Sequence, residues 1–316
     1  MYTLVRDSKY DIMKGIAILC VIIGHLPSLP PSLFRLILSF HMPLFFMLSG
    51  IFFRTEKYSL QRDIKRLLIP FLFSCGVIFL IRIIKSSNLI SSFENMACEI
   101  FWSCGAIHDC ELFSSEPRIG VLWFLIALFF ARAFYFFICK IVSSEIYRTL
   151  LCVFLSVIGV YLDTTIIYLP FALNQSFSIL IYLQFGHLIA KYSIKIWMKT
   201  LCMILWIYPA LFYTMDMCAC HYDGWLYPIV VSGSVGGGIF IGLISEKMKQ
   251  LDWMRLEWLG QVTLPVMCFH AIIYHEGAFL FNYGKVIAVI LWIFLPIVCT
   301  LISAKIKPLR VIFGMK

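Results

Sequence analysis

Residues 11–25 read Asp11-Ile-Met-Lys14-Gly15-Ile-Ala-Ile-Leu-Cys-Val-Ile-Ile-Gly24-His25, and residues 40–50 read Phe40-His41-Met-Pro43-Leu-Phe-Phe-Met-Leu-Ser49-Gly50. Each is an apolar run with a few polar groups inside it. A short proline-rich connection (Pro27, Pro30, Pro31) joins them, so they form an antiparallel helical hairpin. Runs of this kind recur along all 316 residues. The chain is 61% hydrophobic and only 14% charged, whereas soluble domains carry about 25% charged residues. A soluble fold, a secreted disulfide scaffold and a disordered chain are all excluded. The expected class is an all-α polytopic membrane bundle, forming one membrane-embedded domain over 1–316.

Reading apolar runs between charge clusters and Pro/Gly breaks predicts ten spans, over 11–29, 34–53, 67–84, 119–139, 149–163, 170–190, 197–214, 225–244, 257–275 and 284–304. The net charge of +9 comes from 26 Lys+Arg against 17 Asp+Glu. Twenty of those 26 basic residues fall in six segments, 6–14, 54–66, 140–148, 191–199, 247–255 and 305–316. With both termini cytoplasmic, all six lie on the same side, which fits the positive-inside rule. The charge thus predicts N-in and C-in topology and requires no nucleic-acid partner. The first run ends without a small-residue cleavage site, so it is expected to stay in place as a span.

Twelve cysteines are present. Cys98, Cys104, Cys110, Cys218 and Cys220 fall in predicted outer loops, and the other seven lie in spans, where cysteine behaves as a small hydrophobe. No cysteine spacing points to zinc, and no metal is expected. His108 and His221 fall in outer loops, His187 near the cytoplasmic end of the sixth span, and His275 at the outer end of the ninth.

Ionisable groups inside spans are costly and mark function. His25 follows Lys14 by eleven residues, about 16 Å along a helix, which places it in the outer half of the hairpin. His41 occupies the same half on the second span, so the two histidines can share a polar cavity. Imidazole suits the task of accepting and returning a proton near neutral pH. Pro43 is expected to kink its helix and free a carbonyl that His41 or a neighbour satisfies. Arg132, within the fourth span, must face protein or water. The basic segment 54–66 serves orientation, and Arg62, Lys65 and Arg66 on one side of a turn leading into Pro70 also suit a phosphate clamp.

These residues resemble a known family. Asp11-x-x-Lys14-Gly15 through Gly24-His25 is similar to the opening motif of the membrane acyltransferase family 3, a basic residue, ten positions and a histidine. Phe40-His41-Met42-Pro43 through Ser49-Gly50 resembles the second-helix motif of its subgroup related to fucose 4-O-acetylase. Arg66-Leu-Leu-Ile-Pro70, Leu122-Trp123-Phe124-Leu125 and the segment from Leu259-Gly260 to His270 are similar to later motifs. The resemblance implies ten helices and transfer of an acyl group, usually acetyl, from cytoplasmic acyl-CoA to a hydroxyl of a surface glycan or its lipid-linked precursor. It implies His25 as base or acyl carrier, His41 as oxyanion donor and Lys14 beside them. Arg62, Lys65 and Arg66 would hold the CoA phosphates, and Asp11, Ser49, Trp123 and His270 would line the substrate cavity. Acetyl-CoA is then a donor substrate, no cofactor is bound permanently, and the partners are acyl-CoA, the glycan acceptor and membrane lipids in a bacterial inner membrane. A glycan exporter without chemistry is the rival reading, since ten helices with buried histidines and the Gly-rich Val235-Gly236-Gly237-Gly238 also suit a transporter.

Overall fold

The structure, a computed structural model, describes residues 7–26, 29–85, 88–105, 118–164, 168–215, 217, 226–251, 255–277, 280 and 284–315. Regular structure among them is helical throughout. In chain order the helices are α1 (Ser8–Gly24), α2 (Pro31–Leu38), α3 (His41–Ile51), α4 (Leu60–Asp63), α5 (Ile69–Lys85), α6 (Leu89–Trp102), α7 (Trp123–Ile141) and α8 (Glu145–Thr164). They continue as α9 (Leu173–Ser178), α10 (Leu180–Lys191), α11 (Ile196–Leu211), α12 (Tyr227–Met248), α13 (Leu256–Gln261), α14 (Thr263–Glu276), α15 (Lys285–Ser303) and α16 (Lys307–Ile312).

Six stretches among the described residues are long and apolar enough to cross a membrane: Pro31–Ile51, Leu60–Lys85, Gly120–Ile141, Glu145–Leu162, Tyr227–Met248 and Lys285–Ser303. They correspond to six of the ten expected spans. The other four contain helix of another form. α1 has 17 residues, α11 has 16, and the runs at 170–190 and 257–275 are each divided in two.

The divisions have local causes. Between α9 and α10, the Ser156 hydroxyl of α8 enters the helical ladder, donating to the Phe177 carbonyl at 3.1 Å and accepting from the Ile181 amide at 3.2 Å. Those are the two groups that would otherwise bond each other, so the helix opens where the hydroxyl sits. Between α13 and α14, Pro265 has no N–H for the Gln261 carbonyl, and the helix breaks one turn before it. The first span ends early at Gly24, because Leu26 precedes Pro27 and is steered out of the helical region. His25 is therefore the C-terminal cap of α1 and not an interior helical residue.

The chain divides into two compact units. The first comprises Met1–Phe52, Phe185–Met215 and Tyr222–Leu264. Met13 and Ala17 of α1, Phe40, Leu44, Leu48 and Ile51 around α3, and Ile241 of α12 make up a buried core. α1 crosses α13 with backbone against backbone. A Cβ on Gly15 would overlap the Leu256 carbonyl oxygen, and one on Gly260 would overlap that of Asp11. α11 crosses α12 in the same way, with Gly236 against the Cys202 carbonyl. The Gly-rich stretch of α12 is thus a packing seam within a continuous 22-residue helix. Gly260→Val should cost at least about 3 kcal/mol, measured as a lowered thermal midpoint in detergent. An unchanged midpoint would rule out this crossing.

The second unit comprises Phe53–Gln184, Asp216–His221 and Pro265–Lys316. At the C-terminal end of α5, Arg82 donates to both Glu99 oxygens (2.8 and 2.9 Å) and to Glu276 (3.3 Å). Lys85 reaches Glu276 at 2.6 Å. These pairs tie α5 to α6 and α14. Burial pushes the Glu99 carboxyl above its usual range, and Arg82 opposes that shift. Gly120, at φ +56°, leads into α7, and a Cβ there would strike the His275 ring. His275 Nε2 donates to the Ile119 carbonyl at 3.0 Å. Cys98 carries a free thiol, while Cys110, Cys218, Cys220, His108 and His221 lie outside the described residues.

Candidate active site

The break in the second span sits at Ser39-Phe40, one turn before Pro43, because Pro43 lacks the N–H that would bond Ser39. Around that break the Ile37 carbonyl accepts the Nδ1–H of His41 at 2.7 Å. The carbonyl that Pro43 frees is that of Ser39, so His41 satisfies the Ile37 carbonyl one turn before its own position and not the one the proline was expected to release. Trp206 of α11 braces the break by donating its Nε1–H to the Ser39 hydroxyl at 2.8 Å and by packing edge-on against Phe40.

His25 is held in the same manner. Its Nδ1 lies 2.7 Å from the carbonyl of Val21, one turn back on α1. A carbonyl oxygen only accepts, so in each histidine Nδ1 carries the proton and the neutral ring keeps its lone pair on Nε2. α1 and α2 approach closely here, since a Cβ on Gly24 would lie 3.2 Å from Ile37 Cγ2. His25 follows that glycine, His41 is bonded to that isoleucine, and the two imidazoles are within electrostatic reach of each other. His41 is buried and His25 half-buried.

The arrangement bears on the role of each ring. Two basic Nε2 atoms with pinned tautomers suit proton abstraction from a hydroxyl. His41, whose Nδ1–H is already given to Ile37, donates to an oxyanion only as an imidazolium. Like charges at this range repel, so a proton on one ring favours a neutral partner. His25 caps α1, and the negative end of that helix's dipole stabilises the positive charge of a proton on its ring.

Lys14 and Asp11 occupy the other end of α1. Lys14 Nζ bonds the buried Asp11 carboxylate at 3.1 Å and lies over the Phe52 ring. The structure therefore places His25 and His41 at one end of α1 and bonds Lys14 to Asp11 at the other, about 16 Å of helix away. Ser49 is half-buried on α3, two turns beyond His41.

In the second unit, Arg62, Lys65 and Arg66 are all exposed. Arg62 belongs to α4, capped by Ser59, and the next five residues form a π-helical turn, Ile64–Leu68. Pro70 explains it. Without its N–H the ladder closes one residue wider, and Ile69 N bonds Ile64 O. The turn is anchored by a pair invisible in the motif. Buried Asp63 takes a two-point bond from Arg132 of α7, at 2.7 and 3.2 Å. Arg132 thus faces protein, as a cation within a span must, and it stacks over Phe53. Trp123 is buried at the start of α7 and is not an interface anchor. His270 is buried in α14 with its ring edge-on to Trp292.

Residues 7–308 match the model of an acyltransferase domain, Acyl_transf_3. The chain belongs to the acyltransferase 3 family. Its apolar helices make this member a multi-pass membrane protein. It is also similar to the nodulation protein NolL of Sinorhizobium fredii (strain NBRC 101917 / NGR234), 30% identical over 139 residues. That match covers 39% of this chain and 34% of NolL, so the chain matches about a third of the relative's length. No solved structure matches it.

Proposed function

We propose that the protein is an integral-membrane O-acyltransferase. It moves an acetyl group from cytoplasmic acetyl-CoA to a hydroxyl of a cell-surface polysaccharide or its lipid-linked precursor, in a bacterial inner membrane crossed ten times with both termini inside. The observation that carries the reading is the histidine pair, two imidazoles with Nδ1 bonded to carbonyls and Nε2 basic, in a chain of the acyltransferase 3 family.

A sugar hydroxyl becomes a competent nucleophile as a base removes its proton during attack on the thioester. His25 Nε2 is that base. The O–H bond breaks as the new ester C–O bond forms, and the thioester C–S bond breaks to release CoA, which takes the proton back from His25. His41 stays neutral while His25 carries that proton, and its Nε2 lone pair helps hold the acceptor O–H for the transfer. Arg62, Lys65 and Arg66 hold the CoA phosphates, and Lys14 with Asp11 lies toward the cytoplasmic end of the path. Ser49, on the helix that carries His41, contacts the acceptor.

Incubating the reconstituted protein with labelled acetyl-CoA and a glycan acceptor tests the reading. Label should appear on the glycan as an alkali-labile ester. An exporter would move glycan across the bilayer and leave its acetyl content unchanged, and that result would overturn the proposal. Replacing Arg62 and Lys65 together by Ala should raise KM for acetyl-CoA about ten-fold or more, as loss of two phosphate contacts implies. The change in kcat should be small, and the KM effect should shrink in high salt.

A further inference from the structure

Outside the histidine hairpin and the basic turn, the second unit contains a cavity of about 500 Å³ between α5 and α6. Its walls include Gly76 and Phe79 of α5, Phe93, Met96 and Phe101 of α6, and Phe171 from the strand of chain before α9. The lining is almost wholly apolar.

Three observations bear on what fills it. The first is Gly76. Glycine in a helix interior is unfavourable relative to alanine, and it is usually retained where a neighbour crowds the backbone. Here a Cβ would meet nothing within 4 Å, so no group of the described chain requires the missing side chain. The space is left for something else.

The second is the setting. Leu60–Lys85 is long and apolar enough to span a membrane, yet only 28% of its apolar window is buried. Leu72, Leu80 and Ile84 stand exposed along it, and the cavity opens on this lipid-facing flank. α6 continues the flank with Leu89, Ile90 and Phe93 exposed, the pattern of a helix lying in the membrane interface.

The third is the wall itself. Phe171 and Ala172 adopt positive φ, +58° and +50°, a conformation non-glycine residues rarely take. It is held there by bonds from the Phe171 and Ala172 amides to the Phe101 and Trp102 carbonyls, at 2.8 and 3.2 Å. The strained turn sets the Phe171 ring edge-on to Phe101 and closes the end of the cavity.

We propose that this cavity is a lipid site that takes one acyl chain of a membrane phospholipid. The pocket is an inward continuation of the surface α5 presents to hydrocarbon, and the bilayer's own acyl chains stand at its mouth at the highest available concentration. An aromatic-lined space adjoining hydrocarbon gains dispersion contacts when a chain enters. The charges above it, Arg82 and Lys85 with Glu99 and Glu276, are already paired with one another. The site therefore selects for the chain and not for an anionic headgroup.

The test is native mass spectrometry of the intact protein after exchange into mild detergent, with lipid extraction from the same sample. The parent protein should retain one phospholipid. Gly76→Leu fills the cavity from α5, where a Cβ meets nothing within 4 Å, and Ala97→Leu fills it from α6. Displacing even two methylenes weakens the site about ten-fold, so both variants should lose the retained lipid while keeping the parent's thermal midpoint. Leu80→Ala, on the same exposed flank but outside the cavity, should retain it. If a filled variant misfolds, the other still decides. Equal retention by the parent and a folded filled variant would overturn the proposal, and so would a retained isoprenoid in place of phospholipid.

Discussion

His25→Ala should reduce kcat for acetyl transfer by about 10²–10⁴-fold, the usual contribution of a positioned general base. The thermal midpoint and KM for acetyl-CoA should change little. The structure separates these effects cleanly. His25 caps α1 and gives one bond to Val21, so its loss costs roughly 1 kcal/mol of stability. In the proposed mechanism the chemistry rests on Nε2, which the Val21 bond leaves as the basic nitrogen. His25→Gln restores a polar side chain but no base, and it should be as inactive as alanine. His41→Ala tests whether the two rings act as one device. If they do, the double variant should be little worse than either single one, as for groups that act as a unit. Turnover by His25→Ala within a few-fold of the parent would remove the base from the mechanism. Single-turnover experiments with labelled acetyl-CoA distinguish base from carrier, since only a carrier leaves label on the protein when no acceptor is present.

Much of the hairpin was legible from its residues. The break at Pro43 follows from a local rule about proline and backbone bonds. The boundary before Pro27 follows from the same rule, although the span was expected to run to 29, and His41 holds the Ile37 carbonyl and not the Ser39 carbonyl that Pro43 frees. The Pro265 division of the ninth run follows from the same rule, although a continuous span was expected there. Other features depend on partners far along the chain. The break between α9 and α10 is made by Ser156, 21 residues from the carbonyl it takes, and nothing in the run itself identifies that donor. The glycines of α12, which in the sequence also suited a transporter, are explained by α11 lying against them. Asp63 passed unnoticed among five basic neighbours because its partner, Arg132, is 69 residues away. The sign that could have found it was Arg132 itself, a cation within a span in need of a carboxylate.

That pair leads to the second large effect. Arg132→Met should destabilise the protein by about 3–5 kcal/mol, because it strands a carboxylate whose side chain is only 5% exposed. Asp63→Leu should cost less, since Arg132 keeps its contact with the Phe53 ring and is 21% exposed. Combining Asp63→Leu with Arg132→Met removes both charges, and most of the lost stability should return. Acetyl-CoA binding should not return with it. The two-point Arg132–Asp63 bond fixes direction as well as distance, and Asp63 sits between Arg62 and the π-helical turn that carries Lys65 and Arg66. An apolar pair fills the space without aiming the turn. The double variant should therefore regain the parent's midpoint while its KM for acetyl-CoA stays raised, with kcat near normal. Recovery of both quantities would reduce the pair to a structural clasp. A single Arg132→Met variant within about 1 kcal/mol of the parent would deny even that, because only a solvated pair is dispensable at so small a cost.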